Sequence, residues 1–304
     1  MTPLRFIQYL LLGAVALFLL LFLVGPVYTV VEVGLDWQLL REVFRSYIYV
    51  EGLWNSFLIA LVTTGMVFVI SLPLALLYDR YEFPLKSWCS LLMMLPMILP
   101  PFVGALGFQQ ILGHYGVVNT LLVRMGFPAV DFLGGEGRFW SVCLIEALHL
   151  YPILYLNLVT ALGNVDPALN EAGRNLGAGW WMRFTRITLP LLKPGILAGG
   201  SIVLVWSFTE LGTPLMFGYN RTTAVQIFNG IMELETNPVP YALVVVMLFF
   251  AAVMYLAGKF ALGGNAANSS VKGSAGSSTL EGQHALFSQP AGGAVFCRRR
   301  RFCW

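Results

Sequence analysis

The sequence predicts an all-α, polytopic membrane protein with six transmembrane helices. Of its 304 residues 58% are hydrophobic and only 11% are charged, whereas about a quarter of the residues of a soluble domain are charged. The mean hydropathy is +0.75, and the apolar residues are gathered into six long runs. The net charge of +3 is too small to indicate a nucleic-acid partner, so lipid is the expected covering of the surface.

Six segments reach the ~20 apolar residues that a spanning helix needs. Arg5 precedes the first, which could therefore be a cleaved signal peptide, but no small-x-small cleavage site follows and an uncleaved anchor is favoured. We divide the chain into an anchor helix with the first outer loop (1–50), a transmembrane domain (51–262) and a tail (263–304). The six predicted spans are Phe6–Val31, Asn55–Leu77, Trp88–Leu112, Phe139–Leu162, Leu192–Phe217 and Tyr241–Leu262.

The distribution of Lys and Arg predicts that both termini are cytoplasmic. With the N-terminus inside, the inner segments hold more basic residues than the outer loops, and the arginine-rich tail adds to the inner side. The inner residues are Arg5, Arg80, Lys86, Arg174, Arg183, Arg186, Lys193 and Lys259, and the outer residues are Arg41, Arg45, Arg124, Arg138 and Arg221.

The longest inner loop, 163–194, has local helix signals. Asp166 followed by Pro167 is typical of a helix start, and Gly177 is typical of the left-handed residue just beyond a helix end. A second short helix is predicted to follow, ahead of the fifth span. Its basic residues lie off the apolar stripe, so it could rest on lipid headgroups or dock onto a cytoplasmic partner. The stripe is Trp180, Phe184, Ile187 and Leu191.

The same loop resembles the EAA loop of ABC-transporter permeases, the membrane subunits of binding-protein-dependent importers. The family pattern is Glu-Ala-Ala, three residues, Gly, nine residues, Ile-x-Leu-Pro. Six of the seven fixed positions agree, and only the third departs, with Gly173 in place of alanine. The matching residues are Glu171, Ala172, Gly177, Ile187, Leu189 and Pro190.

This resemblance implies a type I ABC-importer permease bundle in a bacterial inner membrane. The loop would then couple to a separate ATP-binding cassette ATPase subunit, with Gly177 at the turn, Glu171 and Arg174 as polar anchors, and Ala172 and Gly173 allowing close approach. The chain contains no G-x-x-x-x-G-K-[ST] motif, so it is expected not to be an enzyme and to hold no cofactor. The resemblance also implies an external solute-binding protein that docks on the outer loops, where Glu233 and Glu235 lie.

The identity of the transported solute is predicted only from weaker similarities. The segments Leu99–Leu122 and Phe208–Ile231 are similar to segments of ferric-iron-type permeases, which makes ferric iron the best expectation. Thiamine, polyamine, sulfate and aminoethylphosphonate permeases share much of this pattern. Because 1–304 holds one EAA loop, it is expected to pair with itself, with a sister permease or with a second permease half.

Three ionisable residues fall inside predicted spans, where each costs ~2.5–3.5 kcal/mol at the bilayer centre. Glu146 and His149 are three apart and share a helix face, as a pair facing the bundle interior or as lining of a translocation path. A Glu-x-x-His metal site would need a second such pair within the bundle, and none of the other predicted spans contains one, so no metal is expected. Glu210, beside Gly212 and Pro214, could be a bundle contact or part of a gate.

A function from another class remains open at this point. A secondary transporter or channel would need no ATPase, and the EAA-like loop would then have no purpose. An intramembrane protease of the H-E-x-x-H kind is not indicated. The tail 263–304 begins as a Gly/Ser-rich flexible linker and ends in an arginine cluster that could contact anionic lipid; disorder without a specific role is favoured.

Overall fold

A computed structural model describes residues 3–81, 84–135, 137–231 and 237–263. Every regular element in these ranges is helical, as the composition predicts. The expectations for Glu233, Glu235 and the tail from residue 264 onward fall outside the described residues.

Fourteen α-helices and two π-helical turns make up this part of the chain. The N-terminal segment is α1 (Pro3–Leu19), a π-turn (Leu20–Val24) and α2 (Gly25–Gly34), and a second π-turn (Phe184–Thr188) joins α10 to α11. The other helices are α3 (Trp37–Arg45), α4 (Tyr47–Arg80), α5 (Lys86–Ile98), α6 (Pro101–Leu112), α7 (Val117–Arg124), α8 (Gly137–Gly163), α9 (Pro167–Asn175), α10 (Trp180–Arg183), α11 (Leu189–Thr209), α12 (Gly212–Met216), α13 (Thr223–Ile231) and α14 (Val239–Gly263).

Five of the predicted spans are long apolar helices, and the sixth is a bent pair. The third predicted span, Trp88–Leu112, corresponds to this bent pair rather than to one continuous helix: α5 and the helical segment from Pro101 meet at an angle of 96°. Leu99 and Pro100 at the break have extended ψ angles of 132° and 141°. Each precedes a proline, whose ring disfavours helical geometry in the residue before it, and this is the physical cause of the bend.

The fifth span also differs from its prediction at both ends. The second loop helix is not separate, because helical backbone runs without interruption from Trp180 through the π-turn into α11, and Pro190 and Pro194 lie within this continuous helix. At the other end the helix stops at Thr209, since Glu210 adopts an extended ψ of 130°. The chain resumes as the short helix α12, so the predicted span to Phe217 is broken near its end.

The core lies where α8 packs between α4 and α11. Buried leucines and tyrosines of α8, with Leu154, Tyr155 and Leu158 almost fully enclosed, fill the space between these helices. Close approach depends on two glycines of α11, Gly195 and Gly199, which meet backbone atoms of α8. In the membrane such small residues let helices gain van der Waals contact that apolar burial alone cannot supply.

The first span lies at the edge of this bundle. Residues 8–24 are exposed, which suits a helix surrounded by lipid. Its C-terminal end is fixed to the rest of the protein, where Gly34 lies against the start of α14; a Cβ atom at this position would come within 2.7 Å of Val245 Cγ2. The segment is therefore an anchor that contributes little to the core.

Candidate functional site

The loop between α8 and α11 is a helix, a glycine turn and a second helix, as its sequence predicts. The Asp166 carboxylate accepts a hydrogen bond of 2.9 Å from the Ala168 N–H and so caps α9. Gly177 has a φ of +76°, which an L-residue with a side chain adopts only with strain. Backbone N–H groups of Gly177 and Ala178 bond the carbonyls of Arg174 and Gly173, closing the end of α9.

Helix α9 packs closely on the helix that continues into α11. Gly173 is buried, and a Cβ there would lie 3.2 Å from both Arg183 Cδ and Ile187 Cδ1. Arg183 in turn donates from Nη1 to the Asn170 carbonyl at 3.5 Å. The departure from the alanine of the family pattern thus coincides with a close contact between the two helices of the loop.

The remaining motif residues divide between a solvent-exposed side and the helix start. Glu171, Ala172 and Arg174 are exposed. Glu171 and Arg174 line a cleft of about 580 Å³ that also contains Asp79 and Arg80 at the end of α4. Leu189 and Pro190 form the first turn of α11.

Apolar side chains are exposed on the solvent-facing side of this loop, and we call this group of residues the loop surface. Leu176, beside the glycine turn, is 87% exposed and Trp181 is 65% exposed. The Trp180 ring stacks on Phe184 with 5.7 Å between centroids and carries the Arg80 guanidinium at 5.6 Å, which holds the tryptophan in place. The loop surface consists of Leu169, Leu176, Trp180, Trp181 and Met182.

Glu146 and His149 lie on one helix, as predicted, but they engage different neighbours. Glu146 is only 1% exposed; one carboxylate oxygen accepts from the Ser207 hydroxyl of α11 and from Thr63 of α4 at 3.4 Å. The predicted inter-helix contact therefore joins three helices. The other carboxylate oxygen has no hydrogen-bond partner.

His149 faces the break between α5 and α6. Its Nδ1 lies 2.8 Å from the Pro96 carbonyl oxygen. That carbonyl has no helical donor of its own, because the residue four positions on is Pro100, which lacks an N–H. His149 also borders an apolar cavity of about 350 Å³ together with Pro100, Pro101 and Phe108. The histidine thus supports the end of a broken helix.

Glu210 likewise stabilises helix ends, at the break between α11 and α12. One carboxylate oxygen accepts from the Gly212 N–H at 3.0 Å and the other from the Trp206 indole N–H at 3.2 Å. The two breaks adjoin, since the Cβ position of Gly212 lies 3.8 Å from Pro101. Trp206 also approaches His149, with 6.5 Å between ring centroids.

Several residues at these breaks were not expected from the sequence. Ser207 and Thr63 look like ordinary small helix residues, and nothing in their spacing indicates the buried carboxylate they hold. Gln109 donates to the Met216 carbonyl at 2.7 Å and so closes the end of α12. The break at Pro100–Pro101, by contrast, is predictable from the sequence, because consecutive prolines interrupt a helix.

Nothing in the described ranges groups three or more His, Cys, Asp or Glu side chains in a way that could hold a metal ion. The site therefore consists of an exposed loop at one end of the bundle and a pair of adjoining helix breaks within it. Broken helices at membrane depth are tolerated where they line a cavity or are buried in protein, and they are common in transporters. This arrangement defines a helical membrane permease.

Comparison with known proteins identifies the family. Residues 71–262 match the family described as the binding-protein-dependent transport system inner membrane component. The chain belongs to this family of transport permeases. Its fold is also that of a bacterial ABC transporter involved in alginate import: the two superimpose with a TM-score of 0.70 at 19% identity, over 84% of this chain and 94% of the other.

Relatives whose names specify different substrates are about equally similar. The chain is 31% identical to the spermidine/putrescine permease protein PotB of Haemophilus influenzae, over 52% of this chain and 55% of PotB. It is 31% identical to the molybdenum permease protein ModB of Escherichia coli K12, over 55% of this chain and 72% of ModB. A putative ferric permease protein, FbpB 1 of H. influenzae, is 30% identical over 60% of this chain and 28% of its own length.

Proposed function

We propose that this permease imports a small solute delivered by an external binding protein, and that residues 163–194 couple it to a separate ATP-binding cassette ATPase subunit. Exposed leucine and tryptophan side chains on a polar loop suit a protein partner better than water. The motif residues Glu171 and Arg174 would make polar contacts beside this apolar loop surface. In this arrangement the loop faces the cytoplasm, as the charge bias of the sequence favours.

The observation that carries this proposal is the continuous helix from Trp180 to Thr209. At 1.5 Å per residue it extends about 45 Å, from the loop surface to the break at Glu210. A displacement of the loop by a partner is therefore carried along one rigid element to the interior of the bundle. The π-turn at Phe184–Thr188 lies near the start of this helix, and such turns are frequent at functional sites.

We further propose that the adjoining breaks act as the gate of the translocation path. His149 and Glu210 hold helix ends on the two sides of the contact between Gly212 and Pro101. Because each break is fixed by a few hydrogen bonds rather than by continuous helix, it can rearrange at lower cost than the segments around it. Glu146, enclosed between three helices, acts as a brace of the bundle rather than as lining of the path.

Partners beyond the ATPase follow from the family. The second permease half is either another copy of this chain or a sister subunit, and lipid covers the exposed apolar faces of the first span. A related alginate transporter has been crystallised in complex with a substrate-bound periplasmic protein, which supports an external binding protein as the source of the solute here.

Ferric iron is the substrate that the two similar segments favour. The names of the relatives extend this choice to molybdenum compounds and polyamines. The thiamine, sulfate and aminoethylphosphonate alternatives rest on sequence resemblance alone.

Reconstitution in vesicles tests the proposed function. The permease, its cognate ATPase subunit and its binding protein are incorporated together, and uptake of radiolabelled candidate solutes is followed. We expect uptake that requires internal ATP and stops when the ATPase subunit is omitted. Accumulation driven by a proton or sodium gradient without that subunit would show a secondary transporter instead and would overturn the proposal.

A further inference from the structure

A second cleft lies at the end of the bundle opposite the loop surface. Its volume is about 860 Å³, large enough for a solvated small molecule. Neither of the charged side chains among its described lining residues is acidic. The polar and aromatic residues on its walls are Asn55, Arg138, Phe139, Trp140, Tyr219, Asn220 and Arg221.

Arg138 is fixed in this cleft by backbone carbonyls, and no carboxylate in the described ranges pairs with it. Its Nη1 donates to the Gly218 carbonyl at 3.2 Å and its Nε to the Leu133 carbonyl at 3.4 Å. Carbonyl oxygens orient a guanidinium but leave its full positive charge in place. The remaining N–H groups of the guanidinium are left to bind a further acceptor.

Arg221 adds a second cation whose compensation is partial. It forms one contact of 3.3 Å with Glu51, and its side chain is 70% exposed. The adjacent backbone is fixed, because Asn55 donates to the Arg221 carbonyl at 3.0 Å. Among the described residues here, two arginines face one acid, which leaves a net positive charge. A guanidinium matches the oxygens of an oxyanion in a bidentate way.

Tyr219 supplies a neutral donor on the same wall. Burial raises the pKa of its phenol above the ordinary value of 10.0, although the nearby Arg221 acts to lower it. The phenol therefore keeps its proton at neutral pH and can donate a hydrogen bond to an anion.

We propose that this cleft is the entrance for the solute and that it accepts an anionic group, which the guanidinium groups of Arg138 and Arg221 bind. The inference rests on the proposed function, since it takes this end as the side of solute delivery. The anion is either a free oxyanion, such as molybdate or sulfate, or the chelator of a ferric ion, such as citrate. A polyamine, which is a polycation, is repelled by the same two arginines.

Trp140 provides a reporter within the cleft. The full-length permease in lipid nanodiscs is titrated with sodium molybdate, sodium sulfate, ferric citrate or putrescine at constant ionic strength, and tryptophan emission is recorded. The same titration is repeated with the Trp140→Phe variant, which lacks the reporter in the cleft. We expect a saturable change with at least one anionic probe, no change with putrescine, and loss of the change in Trp140→Phe.

Substitutions assign the change to the arginines. Arg221→Gln, at an exposed side chain, is expected to preserve the fold and to weaken the apparent affinity about tenfold, because it removes a charge-assisted hydrogen bond to the anion. Arg138→Lys keeps the charge but loses the fork geometry, and is expected to weaken binding less than Arg138→Gln. Arg41→Gln, on α3 away from the cleft, serves as the matched control and should bind as the unmodified protein does.

Three results would overturn the inference: binding of putrescine in the cleft, anion binding that survives Arg221→Gln combined with Arg138→Gln, or no change with any anion. A response to molybdate or sulfate identifies a free oxyanion, and a response to ferric citrate alone identifies the chelated metal. Because the titration needs no ATPase, a negative result would refute only this inference and would not bear on ATP-dependent uptake. Conversely, anion binding without ATP-dependent uptake would refute only the proposed function.

Discussion

The contact between α8 and α11 makes a quantitative prediction, because two neighbouring glycines of α11 differ sharply in their surroundings. A Cβ added at Gly199 would lie 2.8 Å from Leu154 Cδ1 and 3.0 Å from Leu154 Cα, whereas a Cβ at Gly200 meets nothing within 4 Å. Carbon atoms pack at about 3.5–4.0 Å. The methyl group of Gly199→Ala is therefore ~0.5–1 Å too close to backbone that moves only with α8.

The magnitude follows from two opposing effects. Replacing glycine by alanine inside a helix gains ~1 kcal/mol from backbone propensity, and both variants share this gain. Overpacking costs ~1–3 kcal/mol and affects only Gly199→Ala. The propensity cancels in the comparison, so Gly199→Ala is expected to be ~1–3 kcal/mol less stable than Gly200→Ala.

The assay is reversible unfolding of both purified variants in mixed micelles, followed by far-ultraviolet circular dichroism, with the unmodified protein alongside. Gly195→Ala, whose methyl group would approach Ala161 Cβ at 2.7 Å, should behave like Gly199→Ala. Equal free energies of unfolding for the Gly199 and Gly200 variants would refute the packing argument, since it would mean that α8 and α11 separate without cost.

Three further predictions concern single hydrogen-bonded groups. Glu146→Gln should retain most of the stability because an amide can still bond the Ser207 hydroxyl, whereas Glu146→Leu should lose ~1–3 kcal/mol by leaving buried hydroxyls unpaired. The same unfolding assay compares the two variants, and equal losses of stability would contradict the bracing role of Glu146. Asp166→Ala should cost ~1 kcal/mol of local stability through loss of the cap, visible as faster amide exchange in α9 but not in α8. Glu210→Ala should expose the Gly212 N–H to exchange, and protection that persists would show that the carboxylate does not hold the break.

Much of the fold could be predicted because it depends on properties of short segments. Span positions follow from apolar length, and the start and turn of the loop follow from Asp166, Pro167 and Gly177, whose backbone preferences are local. The break at Leu99 was also within reach, since the two prolines after it leave little helical alternative. Hydropathy alone places a span at Trp88–Leu112 but does not indicate the bend within it.

The rest depends on contacts between distant residues. The π-turn before α11 has no sequence signature, and Glu146 could not be assigned to Ser207 and Thr63 before the three helices were placed together. His149 looked like a partner of Glu146 because both lie on one face, but a face about 100° wide can contact two different helices. The cleft proposed to accept an anion likewise brings together Arg138 and Arg221, which are 83 residues apart in sequence, with Arg138 held by the Gly218 carbonyl.

The central claim is that the loop surface receives an ATPase subunit. Leu176 tests it most directly, because a side chain that is 87% exposed can be changed without disturbing the core. The permease is coexpressed with its cognate ATP-binding cassette subunit, and the amount of that subunit that copurifies is measured for Leu176→Glu and for a control, Tyr115→Glu, at a side chain 94% exposed and remote from the loop. We predict about tenfold less ATPase with Leu176→Glu, as expected for a charge placed at the centre of an apolar contact, and unchanged recovery with the control. Equal recovery with both variants, from equally stable permease, would contradict the account.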